Sequence, residues 1–150
     1  MSQEHLTQER RRFKRLEVSF TVLFKVDSPL EVRMKVGDRE INALALDLSE
    51  GGMAILTEYS IPASTTVTIR FIMQNESNMS AESRARSVLA GGEVRYNTLL
   101  EKQMIYRLGV AFTGLSDEDR KFIADFVKLK LYTLASCLDW FSRQNISPCQ

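Results

Sequence analysis

Apolar and polar residues alternate with a period of two along most of this chain. Val18, Phe20, Val22, Phe24 and Val26 alternate with Glu17, Ser19, Thr21 and Lys25, and only Leu23 is out of phase. Successive side chains of a strand point to opposite faces, so this run predicts a strand with one face on a core. Val32, Met34 and Val36 alternate likewise, and Gly37-Asp38 predicts a turn into the apolar segment 40–48. Residues 53–56 resume an extended apolar run, and Val67, Ile69, Phe71 and Met73 alternate again. Residues 74–83 are polar and predict a loop. Strand character returns over 83–96, where Gly91-Gly92 predicts a bulge or a close backbone approach. It returns again over 104–112, with Tyr106, Leu108, Val110 and Phe112 on one face. Six to seven short strands, with polar connections and no helices between them, favour an antiparallel barrel or sandwich over a parallel α/β sheet.

The period changes near residue 116. Ser116 suits a helix N-cap, and Asp117, Glu118 and Asp119 put acid at the positive end of the helix dipole. Phe122, Ile123, Phe126, Val127, Leu131, Leu134 and Leu138 then recur at spacings of three and four. That pattern predicts an amphipathic helix of roughly five to six turns. The expected organisation is a polar leader over 1–9 and a single domain over 10–138. Within the domain the barrel spans about 16–114 and the helix about 117–138; residues 139–150 form a tail. The far end of the helix, with Tyr132, Trp140 and Phe141, extends beyond what one barrel covers, and Trp140 and Phe141 serve either ordinary packing or a partner or dimer surface.

Composition narrows the function. With 150 residues, 44% hydrophobic and 26% charged, the chain can bury a real core as one domain. The net charge is +1, so a basic site must be local. Residues 9–15 supply one: five basic residues against the single acid Glu9. The first ten residues hold no apolar run suited to a signal peptide, and no apolar run reaches membrane-span length. Cys137 and Cys149, both late, make no disulfide framework, which points to a reducing cytoplasm. The single histidine, His5, argues against His-dependent triads and His-rich zinc sites. With no paired carboxylates and no phosphate-binding glycine loop, the expectation is a protein that is not an enzyme and has no metal or cofactor.

Two short motifs carry the candidate chemistry. Arg11 and Arg15 are four residues apart, beside Arg10, Arg12 and Lys14. A guanidinium forks onto phosphate oxygens and stacks on flat rings, so one group can serve a phosphate and a purine. The alternative is a solvated basic leader. The second motif is Asp47-Leu48-Ser49-Glu50-Gly51-Gly52. Its carboxylate can accept both donors of a guanine edge, the ring N–H and the exocyclic amine. Ser49 can bond a phosphate or brace the turn. Gly52 permits a positive φ and a close backbone approach. The alternative is an ordinary Asx or Ser turn between strands. A few charge-assisted contacts of about 1.5–3 kcal/mol each, less the ordering of the arm, suit an affinity on the order of micromolar.

Together the motifs resemble the signature of the PilZ domain, a family of bacterial cyclic di-GMP receptors: Arg-x-x-x-Arg, a strand, then Asp/Asn-x-Ser-x-x-Gly. Arg11, Arg15, Asp47, Ser49 and Gly52 match it, and the stretch Tyr106-Arg107-Leu108-Gly109-Val110-Ala111-Phe112 is also similar to the family. The resemblance covers roughly residues 9–128. It implies a mainly β fold, a six-stranded antiparallel split barrel with a C-terminal helix. It implies that Arg11 and Arg15 contact phosphate and guanine, that Asp47 accepts the guanine edge, and that Ser49 and Gly52 close the turn on the ligand. Arg10 holds the position that the family associates with a stacked pair of ligands. The expected function is a cyclic di-GMP receptor whose arginine arm orders on binding and regulates an unidentified partner protein. The alternative is a PilZ-like adaptor with little or no nucleotide binding. A general RNA binder fits less well, because no aromatic stacking platform stands out in the strands. Arg95 and Arg107 are either near the anionic site or solvated, and Gly109 reads as a close-packing position.

Overall fold

A computed structural model describes residues 13–74, 85–100, 102 and 104–143, with 133–143 by backbone alone. Expectations for His5, Arg10, Arg11, Arg12, the rest of the 1–9 leader, most of the 74–83 loop and Cys149 lie outside those residues. So do those for the side chains of Leu134, Cys137, Leu138, Trp140 and Phe141.

Six strands carry the fold: β1 (Leu16–Ser28), β2 (Ile41–Ser49), β3 (Gly52–Thr57), β4 (Thr66–Gln74), β5 (Ala85–Leu100) and β6 (Ile105–Gly114). They close into an antiparallel barrel in the order β1-β2-β3-β6-β5-β4, with β4 pairing back to β1. The alternating apolar positions face inward as expected. Val22, Phe24, Val26, Val67, Ile69, Phe71, Leu108 and Val110 join one buried cluster. The expected bulge at Gly91-Gly92 is present as a shift in the β5–β6 register.

One stretch differs from its sequence reading. Val32, Met34 and Val36 form a helix, α1 (Leu30–Val36), not a strand. The Pro29 carbonyl accepts the N–H groups of Val32 and Arg33, and Gly37, at φ 86, receives the chain at the far end. Positions four apart share a face in a helix as they do in a strand. The residue between them decides: Val32 and Val36 are buried, whereas Met34 is 74% exposed. Asp38, just past α1, has its carboxyl held below the usual range by the Arg33 guanidinium and then by Lys25.

The C-terminal helix, α2 (Asp117–Arg143), runs past its expected end at 138; no Gly or Pro interrupts the chain before Pro148. Ser116 caps it as expected. Its Oγ accepts the Asp119 N–H at 3.1 Å, an arrangement that contributes about 1 kcal/mol. Ile123 and Val127 are buried in the barrel cluster, with Phe122, Phe126 and Leu131 partly buried beside them. The Arg86 guanidinium fixes the start of the helix, 2.8 Å from Asp119 and stacked over Phe122.

Candidate functional site

A groove of about 550 Å³ lies on the outer face of β3, β6 and β5, at the foot of the arginine arm. That volume falls in the range of small-molecule sites. Two register shifts build it. On β2, Ile41, Ala43 and Ala45 alternate into the core, and continued alternation would carry Asp47 inward with them. The register with β3 slips between Ala45 and Asp47 instead, so Leu48 becomes the next core residue and Asp47 faces out. On β5 the register with β6 slips between Val94 and Tyr96, which brings the consecutive residues Arg95 and Tyr96 both to the groove. Bulges re-aim side chains in this way.

Asp47 is well fixed. Its Oδ1 accepts the Ala54 N–H at 3.1 Å. Its Oδ2 lies 3.4 Å from Arg107 Nη2 and 3.9 Å from Arg15 Nη1. Of the two arginines the motif singles out, Arg15 thus meets the motif carboxylate directly, and Arg107 flanks it from the other side. Three guanidinium groups, those of Arg15, Arg95 and Arg107, line the groove. Two carboxylates oppose them, Asp47 and Glu93, the latter 3.1 Å from Arg95.

Ser49 is buried and braces the turn. Its Oγ accepts the Gly51 N–H at 3.1 Å and donates to the Gly52 carbonyl at 3.4 Å. Gly52 needs no positive φ; among the described glycines only Gly37 has one. Close approach is its constraint, because a Cβ there would lie 2.1 Å from the Val110 carbonyl oxygen. The same holds at Gly51, where a Cβ would meet the Phe13 ring at 2.5 Å. Phe13 therefore seats the root of the arm on the turn. Arg120 of α2 donates to the Glu50 carbonyl at 3.3 Å, tying the helix to the same turn. Beyond the turn, Phe13 also lines a second cavity of about 550 Å³ with Glu50 and the α2 residues Val127, Leu131 and Tyr132.

The structure thus brings Arg15, Asp47, Ser49 and Gly52 together, while Arg10 and Arg11 lie outside the described residues. The sequence does not decide whether Arg95 and Arg107 face the anionic site or solvent, and nothing in it marks Tyr96. Arg107 is legible in hindsight from alternation, since Leu108 and Val110 face inward. Arg95 and Tyr96 are not, because a bulge has no period. Among the described residues no group of His, Cys, Asp and Glu could hold a metal ion, and no helix is long and apolar enough to cross a membrane.

No curated protein matches the chain by sequence. Among solved structures, the Bacillus subtilis inhibitor of motility MotI/DgrA superposes with a TM-score of 0.64 at 14% identity, covering 83% of this chain and 52% of its own. The Borreliella burgdorferi protein PlzA, solved in complex with c-di-GMP, gives 0.51 at 16%, covering 83% and 43%. This chain therefore spans about half the length of those two proteins. The PilZ domain of YcgR from Escherichia coli, solved with c-di-GMP, gives 0.51 at 16%, covering 85% and 98%. At such identities these likenesses speak for the fold. The sequence profile of the PilZ domain matches residues 9–129, a span that takes in the arm, the turn motif and the whole barrel, and so the chain belongs to the PilZ domain family.

Proposed function

We propose that this chain is a cyclic di-GMP receptor that regulates a partner protein. The observation that carries the reading is that Arg15, Arg95 and Arg107 line one groove of ligand size, and that two of them, Arg15 and Arg107, also face the Asp47 carboxylate beside it. YcgR and PlzA were each solved with c-di-GMP, and MotI is an inhibitor of motility. Control of motility, of biofilm or of exopolysaccharide is the corresponding output here.

In this reading the Asp47 carboxylate accepts the guanine ring N–H and exocyclic amine, with Oδ2 the oxygen that holds no backbone bond. The guanine edge then replaces the two guanidinium groups that face that oxygen in the free protein. Arg15 and Arg107 are released toward the phosphates, where each charge-assisted bond contributes about 1.5–3 kcal/mol. Ser49 and Gly52 hold the turn against the ligand. Arg10 and Arg11 complete the phosphate and base contacts from the arm, and Arg10 favours two stacked ligands per site. Ligand phosphates offset the repulsion among the arm's cations and draw the arm onto the groove. Phe13, shared between the groove and the cavity beside α2, offers a route from ligand to partner surface.

Arg15→Ala is expected to remove most c-di-GMP binding and leave the thermal melt of the free protein unchanged. A thermal shift with c-di-GMP but not GMP, lost in this variant, supports the reading; tight binding by the variant rejects the assignment. Ordering of the arm predicts slower hydrogen exchange over residues 9–15 when ligand is added. Equal exchange with and without ligand rejects that part.

A further inference from the structure

The groove's far wall holds a feature that the signature motifs do not describe. Across the sheet, Asp47 pairs with Ala54, Ala54 with Gly109, and Gly109 with Tyr96. A carboxylate and an aromatic ring therefore stand at the two ends of a row whose middle positions are Ala and Gly. Neighbouring strands are about 4.8 Å apart, so the row's end strands lie roughly 14 Å apart along the sheet. The Tyr96 ring lies over the Gly109 backbone: a Cβ added at Gly109 would meet Cε1, Cζ and Cδ1 of the ring at 1.9, 2.4 and 2.5 Å. Three ring atoms so close to one point mean that the ring rests broadside on the backbone. Tyr96 is nonetheless 37% exposed, and it lines the groove. A ring with one face on backbone and its remaining surface on a cationic groove is a stacking surface for a flat base, stiff because the protein already supports it.

We propose that Tyr96, seated by Gly109, stacks on a guanine of the bound ligand other than the one whose edge Asp47 accepts. This rests on the receptor reading above. Asp47 would then select the base by its hydrogen-bonding edge, and Tyr96 would hold a second base by its face.

The test titrates c-di-GMP into wild type, Tyr96→Phe, Tyr96→Leu, Gly109→Ala and Arg15→Ala, and follows the guanine H8 proton of the bound ligand by NMR. Tyr96→Phe keeps the ring and is expected to bind like wild type, with the same upfield ring-current shift. Tyr96→Leu keeps bulk without a π face, and is expected to bind about tenfold more weakly and to lose that shift. Gly109→Ala leaves the ring's chemistry alone but unseats it, and is expected to weaken binding similarly. Wild-type affinity and an unchanged H8 shift in Tyr96→Leu, or full affinity in Gly109→Ala, would overturn the stacking role. If those hold while Arg15→Ala loses binding, the receptor reading survives and only the Tyr96 role fails. A wild-type protein that binds no c-di-GMP overturns both.

Discussion

The two walls of the groove are built on different principles. On the β2–β3 side the polar atoms are largely engaged with the protein itself. Asp47 Oδ1 holds the Ala54 N–H, and the Ser49 hydroxyl holds both the Gly51 N–H and the Gly52 carbonyl. On the β5–β6 side, Arg95, Tyr96 and Arg107 reach into solvent with exposures of 59%, 37% and 39%. The first wall is a shaped edge that offers little beyond Asp47 Oδ2. The second is a more exposed set of ion-paired cations and a ring. Signature residues therefore need not be the ones with the most free binding capacity. Ser49, for one, spends its hydroxyl on the backbone of the turn.

The contrast is sharpest at the two glycines. Gly52→Ala puts a methyl against the Val110 carbonyl, which is backbone and cannot swing aside. We expect a loss of roughly 1–3 kcal/mol in urea-induced unfolding, with ligand binding falling as well. Gly109→Ala meets a side chain that can rotate away, so its stability loss should be clearly smaller than that of Gly52→Ala. Equal losses at the two sites would break the distinction between the walls.

Arg107→Ala comes next. It removes a partly exposed cation while Asp47 keeps its bond to Ala54, so melting should hold. Binding of c-di-GMP should weaken about tenfold, in keeping with one lost charge-assisted bond. It should also depend less steeply on salt, which a salt series of titrations would read. An unchanged affinity would mean that Arg107 serves Asp47 and not the ligand. Smallest is Ser49→Ala. It leaves the Gly51 N–H without its acceptor and should cost about 1 kcal/mol of stability, read by thermal melting. Loss of binding without loss of stability would instead make Ser49 a ligand contact and dissolve the contrast.

Much of this was legible in the chain. Alternation in β1, β4 and β6, broken only locally, fixes which faces are buried, and Arg15 of the arm meets Asp47 of the turn motif. What escaped has physical causes. Val32, Met34 and Val36 fit a strand and a helix equally well, because too few positions were available to separate a period of two from one of 3.6. The outward aim of Asp47 depends on the slip after Ala45, and the joint exposure of Arg95 and Tyr96 depends on the slip after Val94. Bulges break the alternation on which such reading relies. Gly109 read correctly as a packing position, but its partner, the Tyr96 ring, is visible only once β5 and β6 are in register.

Calorimetric titration of c-di-GMP into the wild-type chain, with GMP as the competitor control, tests the central claim most directly. The account predicts saturable binding on the order of micromolar, two ligands per chain, and no comparable heat from GMP. No binding, or equal binding of GMP, would contradict it, and a clean stoichiometry of one would remove the role assigned to Arg10.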